Sequence, residues 1–182
     1  MEKQKYAAIV LAAGSGKRMN SKVHKQYLII QDRPVLYYSL KAFEDSAVDE
    51  IVLVVGKGEE EFCRKEIVDK YGISKVKAIV EGGKERYHSV FEGLKQTSDA
   101  DYVLIHDGAR PFVNQDIIRR CMQEVQKYQA CVVGMPVKDT IKIADEEGYA
   151  KQTPDRKNVW MIQTPQTFSY ALIYEAYEEM LK

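Results

Sequence analysis

Cysteine is scarce in this sequence: the chain has only Cys63, Cys121 and Cys131, which are far apart and form no Cys-x-x-Cys pair. No histidine stands at ligand spacing from them, so we expect neither a zinc site nor a disulfide framework. Long apolar runs are missing, and the N-terminal residues lack the apolar stretch and cleavage site of a secretion signal. The sequence therefore predicts a cytoplasmic protein with no membrane-spanning segment.

An excess of charge of one sign is also absent. Lys and Arg number 27 and Asp and Glu number 27, so the formal net charge is zero, which argues against a nucleic-acid binder or a polybasic membrane binder. The charge is unevenly distributed, because residues 1–30 contain six basic residues and one acidic residue, a local formal charge of +5. We expect this basic end to face an anionic ligand such as a triphosphate.

A hydrophobic fraction of 45% over 182 residues is typical of a single globular domain, residues 1–182. Short apolar runs predict buried strands, at residues 6–13, 51–55, 76–80, 102–105 and 130–135. The intervals between them carry apolar residues at helical spacing, and Asp32 is the expected N-cap of the first helix. This alternation predicts an α/β fold, a three-layer α/β/α sandwich around a Rossmann-like, mostly parallel sheet. The polar segment 137–166 is interpreted as an extended arm and 169–182 as a final helix.

The first strand leads into a glycine-rich loop at the edge where open α/β sheets bind ligands. Its sequence is Ala12-Ala13-Gly14-Ser15-Gly16-Lys17-Arg18-Met19. Glycines let the backbone approach phosphate oxygens closely, but Met19 replaces the last glycine of a dinucleotide-binding loop and Arg18 replaces the Ser or Thr of a P-loop. An ordinary solvated loop and a triphosphate-binding loop of another kind are the two interpretations, and the nearby basic residues favour the second.

Two other strand ends carry candidate site residues. Gly82 and Gly83 lead into a helix that contains Ser89, either as a plain connection or as an anion-binding helix start. Asp107 and Arg110 follow the fourth strand, either as an isolated ion pair or as ligands of a magnesium ion and a phosphate held side by side. Their position at the ligand edge of the sheet favours the second interpretation.

These features belong to a longer series of short motifs. In chain order the motifs are Leu11-Ala12-Ala13-Gly14-x-Gly16-x-Arg18-Met19, Lys25-Gln26-Tyr27, Gly82-Gly83-x-x-Arg86-x-x-Ser89, His106-Asp107-x-Ala109-Arg110-Pro111, Pro136-Val137-x-Asp139-Thr140-x-Lys142 and Thr164-Pro165-Gln166. The series resembles the bacterial and plastid 2-C-methyl-D-erythritol 4-phosphate cytidylyltransferases, a branch of the nucleotidyltransferases. The resemblance covers nearly the whole chain, and the motifs are specific jointly rather than singly.

The resemblance implies transfer of a cytidylyl group from CTP to methylerythritol phosphate, with release of pyrophosphate, in the non-mevalonate route to isoprenoids. It implies catalytic roles for Arg18, Lys25 and Arg156. The positions implied in CTP binding are Ala12, Ala13, Gly14, Gly16, Gly83 and Ser89. Those implied in binding the polyol phosphate are Asp107, Arg110, Thr140 and Arg156. It also implies Mg²⁺ at Asp107 and a homodimer in which the arm carries Thr140 and Arg156 to the partner's site.

The sequence departs from the family pattern in three places. Lys84 stands where many relatives carry an acid, and Gly108 stands where alanine is common. The family's later acidic segment and Asn-Ile-Lys motif do not occur before Lys182, so we expect the C-terminal end of the family domain to be missing. Two other functions stay open: a ribitol 5-phosphate cytidylyltransferase, and a truncated nucleotide-binding form with little activity.

Overall fold

The chain alternates strands and helices, which the computed structural model describes for residues 3–14 and 24–182. The strands are β1 (Tyr6–Ala12), β2 (Ile29–Ile30), β3 (Arg33–Pro34), β4 (Glu50–Val55), β5 (Val76–Glu81), β6 (Tyr102–Asp107), β7 (Ala130–Pro136), β8 (Ile143–Ala144), β9 (Ala150–Gln152) and β10 (Trp160–Ser169). The α-helices are α1 (Val35–Glu44), α2 (Glu60–Cys63), α3 (Arg86–Leu94), α4 (Gln115–Tyr128) and α5 (Tyr170–Met180). Short 3-10 turns lie at Lys25–Tyr27 and Arg156–Asn158, and α2 continues as a π-helix at Arg64–Asp69.

The central sheet has the strand order β5-β4-β1-β6-β10-β7. Strands β5, β4, β1 and β6 are parallel, whereas β10 runs antiparallel to both β6 and β7. The apolar runs correctly located β1, β4, β5, β6 and β7, and the predicted mostly parallel α/β fold is confirmed. Ala12 pairs with Val55 and Leu11 with Asp107, so the carboxyl ends of three neighbouring strands lie side by side.

Helices cover both faces of the sheet. One face packs against α1 and α4 through a cluster that includes Leu40, Phe43 and Ile118. The other face packs against α3 and α5, where Val90 and Leu94 are fully buried. Strands buried on both faces need no polar alternation, which explains the continuous apolar runs of β1 and β4. In the described part of the chain, every helix is too short or too polar to cross a bilayer.

The predicted N-cap at Asp32 is wrong. Gln31 and Asp32 have φ angles of 48° and 64° and form the tight turn between β2 and β3. Helix α1 begins three residues later, at Val35, after the extended Pro34. Aspartate is favoured in left-handed turns as well as at N-caps, so the residue type alone did not separate the two.

The segment expected to form an arm, 137–166, divides into two parts. Its first part carries the small, exposed hairpin of β8 and β9. Its last residues belong to β10, which begins at Trp160 and enters the central sheet between β6 and β7. Pro165 lies where the pairing register shifts between Ile162 and Gln166, and the Thr164–Pro165 peptide bond is cis. A proline is tolerated there because a bulge has no ladder hydrogen bond for its missing N–H to donate.

Candidate active site

The ends of β1 and β5 approach each other closely at one edge of the sheet. The N–H of Gly82 donates to the carbonyl of Val55, which continues the β4–β5 ladder. A Cβ on Gly82 would lie 2.5 Å from the Cβ of Ala13 and 2.7 Å from Oγ of Ser89. Glycine is therefore required at this position, where the backbone after β5 contacts the loop after β1. The structure thus brings Ala13 and Ser89 together on the two sides of Gly82.

The first turn of α3 uses the Ser89 hydroxyl internally. Oγ of Ser89 donates to the carbonyls of Gly83 (3.4 Å) and Glu85 (3.3 Å), and the residue is almost fully buried. Glu85 and His88 form a capping box at the start of the helix. Both contacts fix the glycine pair against the helix start, so the Gly83 backbone is oriented by α3.

Lys25 lies on a short turn that is tied to the same edge. The neighbouring Gln26 is buried, and its Nε2 donates to the carbonyl of Ala12 at 2.6 Å. On either side of this pair, His24 and Tyr27 contact the two carboxylate oxygens of Glu59. The Lys25 side chain is exposed, and the Gln26 contact holds its backbone near the end of β1.

Asp107 lies between two arginines at the end of β6. Its Oδ1 accepts hydrogen bonds from Nε (3.2 Å) and Nη2 (3.1 Å) of Arg86, and its Oδ2 accepts one from Nε of Arg110 at 3.0 Å. Arg86 also donates to Gln166 at 3.2 Å, and Arg110 donates to Gln163. Both arginines remain nearly half exposed. The cluster therefore presents two positive charges to solvent around one carboxylate.

The charge of Asp107 is stabilised by these neighbours. Burial raises the pKa of the Asp107 carboxyl, but the positive charges of Arg86 and Arg110 outweigh it and hold the pKa below its usual value. Asp107 is therefore ionised at neutral pH.

A magnesium ion fits this edge only together with a substrate. Within residues 3–14 and 24–182, no group of three or more His, Cys, Asp or Glu side chains is placed to hold a metal. Magnesium commonly takes one or two carboxylates and completes its shell with phosphate oxygens and water. Oδ2 of Asp107 accepts a single hydrogen bond from Arg110, which leaves it room for a further partner. Asp107 thus fits a magnesium ion carried by a nucleotide, and does not by itself form a metal site.

A buried histidine supports the Asp107 loop from below. His106 is fully buried, with Nε2 3.1 Å from the carbonyl of Arg110 and Nδ1 2.9 Å from Oγ1 of Thr164. A carbonyl only accepts, so Nε2 carries the proton and Nδ1 accepts from the threonine hydroxyl. Oγ1 of Thr164 in turn accepts from the N–H of Asp107 at 3.2 Å. His106 is therefore a core residue, and it links β10 to the loop that carries Arg110.

Two predicted site residues are not described by the structure, and two others lie on the arm. Gly16 and Arg18 lie outside the described residues. Thr140 and Arg156 lie on the exposed arm, where Nη1 of Arg156 donates to the carbonyl of Lys138 at 2.9 Å. Among the residues that the structure describes, neither side chain hydrogen bonds to the Asp107 cluster.

Sequence reasoning missed three contributors to the edge. Arg86 was part of a quoted motif but had no assigned role, and its partner Asp107 lies 21 positions away in sequence. Gln163 and Gln166 lie on β10, whose place in the sheet was not foreseen. The signal for Arg86 was its position three residues after a glycine pair, where a long cationic side chain projects from a helix start. Gln166 was likewise part of the motif Thr164-Pro165-Gln166 but had no assigned role, and Gln163 had no comparable signal.

Comparisons with known proteins place the chain among similar sequences. The sequence profile of the family described as IspD, 2-C-methyl-D-erythritol 4-phosphate cytidylyltransferase, matches residues 6–182. The chain is 52% identical over 177 residues to the 2-C-methyl-D-erythritol 4-phosphate cytidylyltransferase of Lachnoclostridium phytofermentans, covering 97% of this chain and 76% of that protein. It is 56% identical over 174 residues to the protein of that name from Lachnospira eligens, covering 95% and 76%.

Solved structures of similar proteins share the fold. The crystal structure of 4-diphosphocytidyl-2C-methyl-D-erythritol synthase from Anaerococcus prevotii matches with a TM-score of 0.84 and 37% identity, covering 98% of this chain and 75% of that one. The 2-C-methyl-D-erythritol 4-phosphate cytidylyltransferase from Thermus thermophilus matches with a TM-score of 0.72 and 31% identity, covering 94% and 75%.

Proposed function

Because this chain belongs to the 2-C-methyl-D-erythritol 4-phosphate cytidylyltransferase family, we infer that it transfers the cytidylyl group of CTP to 2-C-methyl-D-erythritol 4-phosphate. The products are CDP-methylerythritol and pyrophosphate, in the non-mevalonate route to isoprenoids. The observation that carries this function is the match of the family profile over residues 6–182, which includes every element that meets at the ligand edge.

The reaction needs positioning and charge stabilisation more than covalent chemistry. A phosphate oxygen of methylerythritol phosphate attacks the α-phosphorus of CTP, a new P–O bond forms, and the bond to the β-phosphate oxygen breaks to release pyrophosphate. Phosphoryl-type transfers of this kind are accelerated mainly by holding the reactants in line and by neutralising the developing charge. The exposed cations at the ends of β1 and β6 supply this kind of support.

Lys25 and Arg18 are the residues that we assign to the α-phosphate. A compact ammonium follows charge as it develops on the phosphate oxygens, whereas a guanidinium presents a planar fork to two of them. The exposed side chain of Lys25 and its fixed backbone at the end of β1 support the assignment. Backbone groups of residues 12–16 and of Gly83, together with Ser89, are assigned to the nucleotide.

Asp107 and Arg110 are assigned to the junction between nucleotide and polyol phosphate. A bound magnesium ion neutralises phosphate charge and makes pyrophosphate a better leaving group. Asp107 would hold this ion, since its carboxylate is ionised and lies at the ligand edge. Arg110 is half exposed and bound to Asp107 through one guanidinium nitrogen, so its remaining donors can turn to a substrate phosphate.

Thr140 and Arg156 complete the proposed site in a homodimer. Both lie on the arm, away from the Asp107 cluster of their own chain. We assign them to the methylerythritol phosphate bound by the partner subunit, which also gives the arm a function. The arrangement makes each active site depend on two copies of the chain.

Pyrophosphate release tests the assignment directly. With CTP and Mg²⁺, we expect release with methylerythritol phosphate and at most slow release with ribitol 5-phosphate, which is the matched control substrate. Lys25→Ala is expected to lower kcat by about 100-fold or more, with a smaller effect on the KM for CTP. Lys65→Ala, which removes an exposed lysine paired with Glu61, is the control and retains activity. Release with ribitol 5-phosphate alone contradicts the substrate, and normal turnover of Lys25→Ala contradicts its catalytic role.

A further inference from the structure

The turn that carries Lys25 is held on both sides by a single carboxylate. Oε1 of Glu59 lies 2.9 Å from Nδ1 of His24, the residue before Lys25. Oε2 of Glu59 accepts a hydrogen bond of 2.7 Å from the hydroxyl of Tyr27, two residues after it. The third contact of the turn, from Gln26 to Ala12, fixes its distance from β1. Three side chains therefore determine where the Lys25 backbone lies.

Glu59 is itself locked by the loop that follows β4. The N–H of Gly56 donates to Oε2 of Glu59 at 3.1 Å, and the N–H of Glu59 donates back to the carbonyl of Gly56 at 3.0 Å. A Cβ at residue 56 would lie 2.7 Å from this same oxygen. The Glu59 carboxylate therefore packs directly against the Gly56 backbone. Only about a fifth of the Glu59 side chain is exposed.

The hydrogen-bond donors to the Glu59 carboxylate are the Tyr27 hydroxyl and the Gly56 N–H. Burial, together with Cys63 and Glu59, raises the pKa of the Tyr27 hydroxyl, which therefore keeps its proton. Burial raises the pKa of the Cys63 thiol to about 11. Since the Tyr27 hydroxyl donates to Glu59, its oxygen accepts from the Cys63 thiol at 3.1 Å. The hydrogen bonds therefore run in one direction: the Cys63 thiol donates to Tyr27, and the Tyr27 hydroxyl donates to the Glu59 carboxylate.

We propose that Glu59 is a positioning residue for the transfer reaction, acting through Lys25. Its carboxylate joins the end of β4 to both flanks of the Lys25 turn and so aims the Lys25 ammonium at the end of β1. A reaction slows when a catalytic group that the protein holds in position is displaced even slightly from its reactive geometry. This inference rests on the proposed role of Lys25 in the transfer.

A double-mutant cycle distinguishes positioning from a general effect on the fold. Glu59→Gln keeps the size of the side chain but removes its negative charge. We expect it to lower kcat by about tenfold and to change the KM for CTP much less. In a Lys25→Ala background the same substitution is expected to have no further effect on kcat, because the group that it orients is gone. Tyr27→Phe, which removes one hydroxyl, is expected to give a smaller loss with the same dependence on Lys25.

The control is Glu61→Gln, a chemically identical change at an exposed residue paired with Lys65, which should leave kcat unchanged. Equal losses from Glu59→Gln in the wild-type and Lys25→Ala backgrounds would overturn the proposal, as would normal kcat in both Glu59→Gln and Tyr27→Phe. Normal turnover of Lys25→Ala is a different result, because it removes the proposed role of Lys25 itself. If Glu59→Gln fails to fold, as judged by thermal unfolding, the comparison of Tyr27→Phe in the two backgrounds decides the question.

Discussion

His106 is a titratable residue that the structure keeps neutral. Its imidazole is buried beneath the Asp107 loop and bonded to Arg110 and Thr164. Burial lowers the pKa of His106 to about 4, because a charged imidazolium would be poorly solvated there. Protonation would also place a proton on Nδ1, which is the acceptor for the threonine hydroxyl. Protonation of His106 at acidic pH would therefore weaken the contacts that hold the Arg110 loop in place.

This pKa gives a defined pH dependence of stability. An unfolded histidine titrates near pH 6.5, so between pH 6.5 and about 4 the unfolded chain binds more protons at this residue than the folded chain. The stabilisation is present above pH 6.5 and is lost as the pH falls through this interval. We expect His106 to contribute about 2 kcal/mol to the decrease in the free energy of unfolding between pH 7.5 and pH 5, measured by urea denaturation.

His106→Gln is the comparison for this measurement, because glutamine retains hydrogen-bonding groups and does not titrate. The variant is less stable at pH 7.5 but should lose about 2 kcal/mol less than the wild type on acidification to pH 5. Parallel pH profiles for the two proteins would contradict the neutral, buried state of His106. An NMR titration of the imidazole gives an independent check, since its resonances should not shift above pH 5.

At the residue scale, the sequence predicted positions better than partners. Asp107 and Arg110 were placed at the ligand edge because they follow a buried strand. Arg86 on α3 contacts both Asp107 on β6 and Gln166 on β10, and pairings between elements depend on the tertiary arrangement. The partners of Glu59 were not predicted either, because it lies in a charged segment where the sequence does not distinguish one carboxylate from another.

At the scale of elements, the ligand edge depends on how closely β5, α3 and the loop after β1 approach each other. Gly82 is the point of contact, with Ala13 on one side and Ser89 on the other. Neither neighbour is the far end of a flexible side chain, so an added methyl group would move backbone. The distance between the glycine pair and the end of β1 is set by this contact.

Gly82→Ala is therefore expected to separate the two loops. We expect a loss of about 1–3 kcal/mol in the free energy of unfolding, which is typical of overpacking, and a several-fold rise in the KM for CTP. Gly134→Ala on β7 is the matched control, because its Cβ would lie 3.4 Å from the Trp160 ring at ordinary contact distance. Urea denaturation and steady-state kinetics of both variants measure the effects. Similar behaviour of the two would show that the Gly82 contact is not limiting.

The elements that the sequence revealed are those with a strong local pattern. Buried parallel strands show continuous apolar runs, and α4 shows a clear amphipathic pattern after its Asn114 cap. Strand β10 has neither, since polar residues interrupt its apolar ones without a regular period and it contains Pro165. It forms because it can pair with the edges of both β6 and β7. These edges are in place only once the rest of the sheet is assembled. Local sequence patterns could not predict its antiparallel direction either, because that direction also depends on the assembled sheet.

At the scale of the whole molecule, the arm extends away from the sheet and packs little against its own chain. The hairpin of β8 and β9 is exposed along its whole length. A segment of this kind is stabilised by a partner or by its own turn. The loss of apolar periodicity predicted that the chain leaves the sheet at residue 137. Its return to the sheet at Trp160 depends on tertiary packing, which local sequence patterns do not reveal.

Complementation between two inactive variants tests the proposal that two subunits share each site. We expect Lys25→Ala and Arg156→Ala each to be nearly inactive, and their mixed dimers to contain one site in which both residues are intact. After subunits are exchanged at random, about a quarter of the sites should be active, measured by pyrophosphate release. No recovery would contradict contribution of Arg156 across the dimer.

The control mixture is Lys25→Ala with Arg110→Ala. Both residues are assigned to the same chain's site, so every mixed dimer keeps one substitution in each site and should stay inactive. Recovery in this mixture would show that Arg110, too, acts on the partner's substrate. A protein that sediments as a monomer at micromolar concentration would contradict the dimer itself.

The position of β10 between β6 and β7 has a consequence for biosynthesis. Among the described strands, β7 is joined to the central sheet only through β10, which is made later. While a ribosome is still translating the arm, β1, β4, β5 and β6 can pair with one another. The edge of β6 that will later pair with β10 stays unpaired during this time. Unpaired strand edges are the surfaces that chaperones and aggregation both exploit. The interval between synthesis of Pro136 and Ser169 is thus when the nascent chain is most exposed to misassembly.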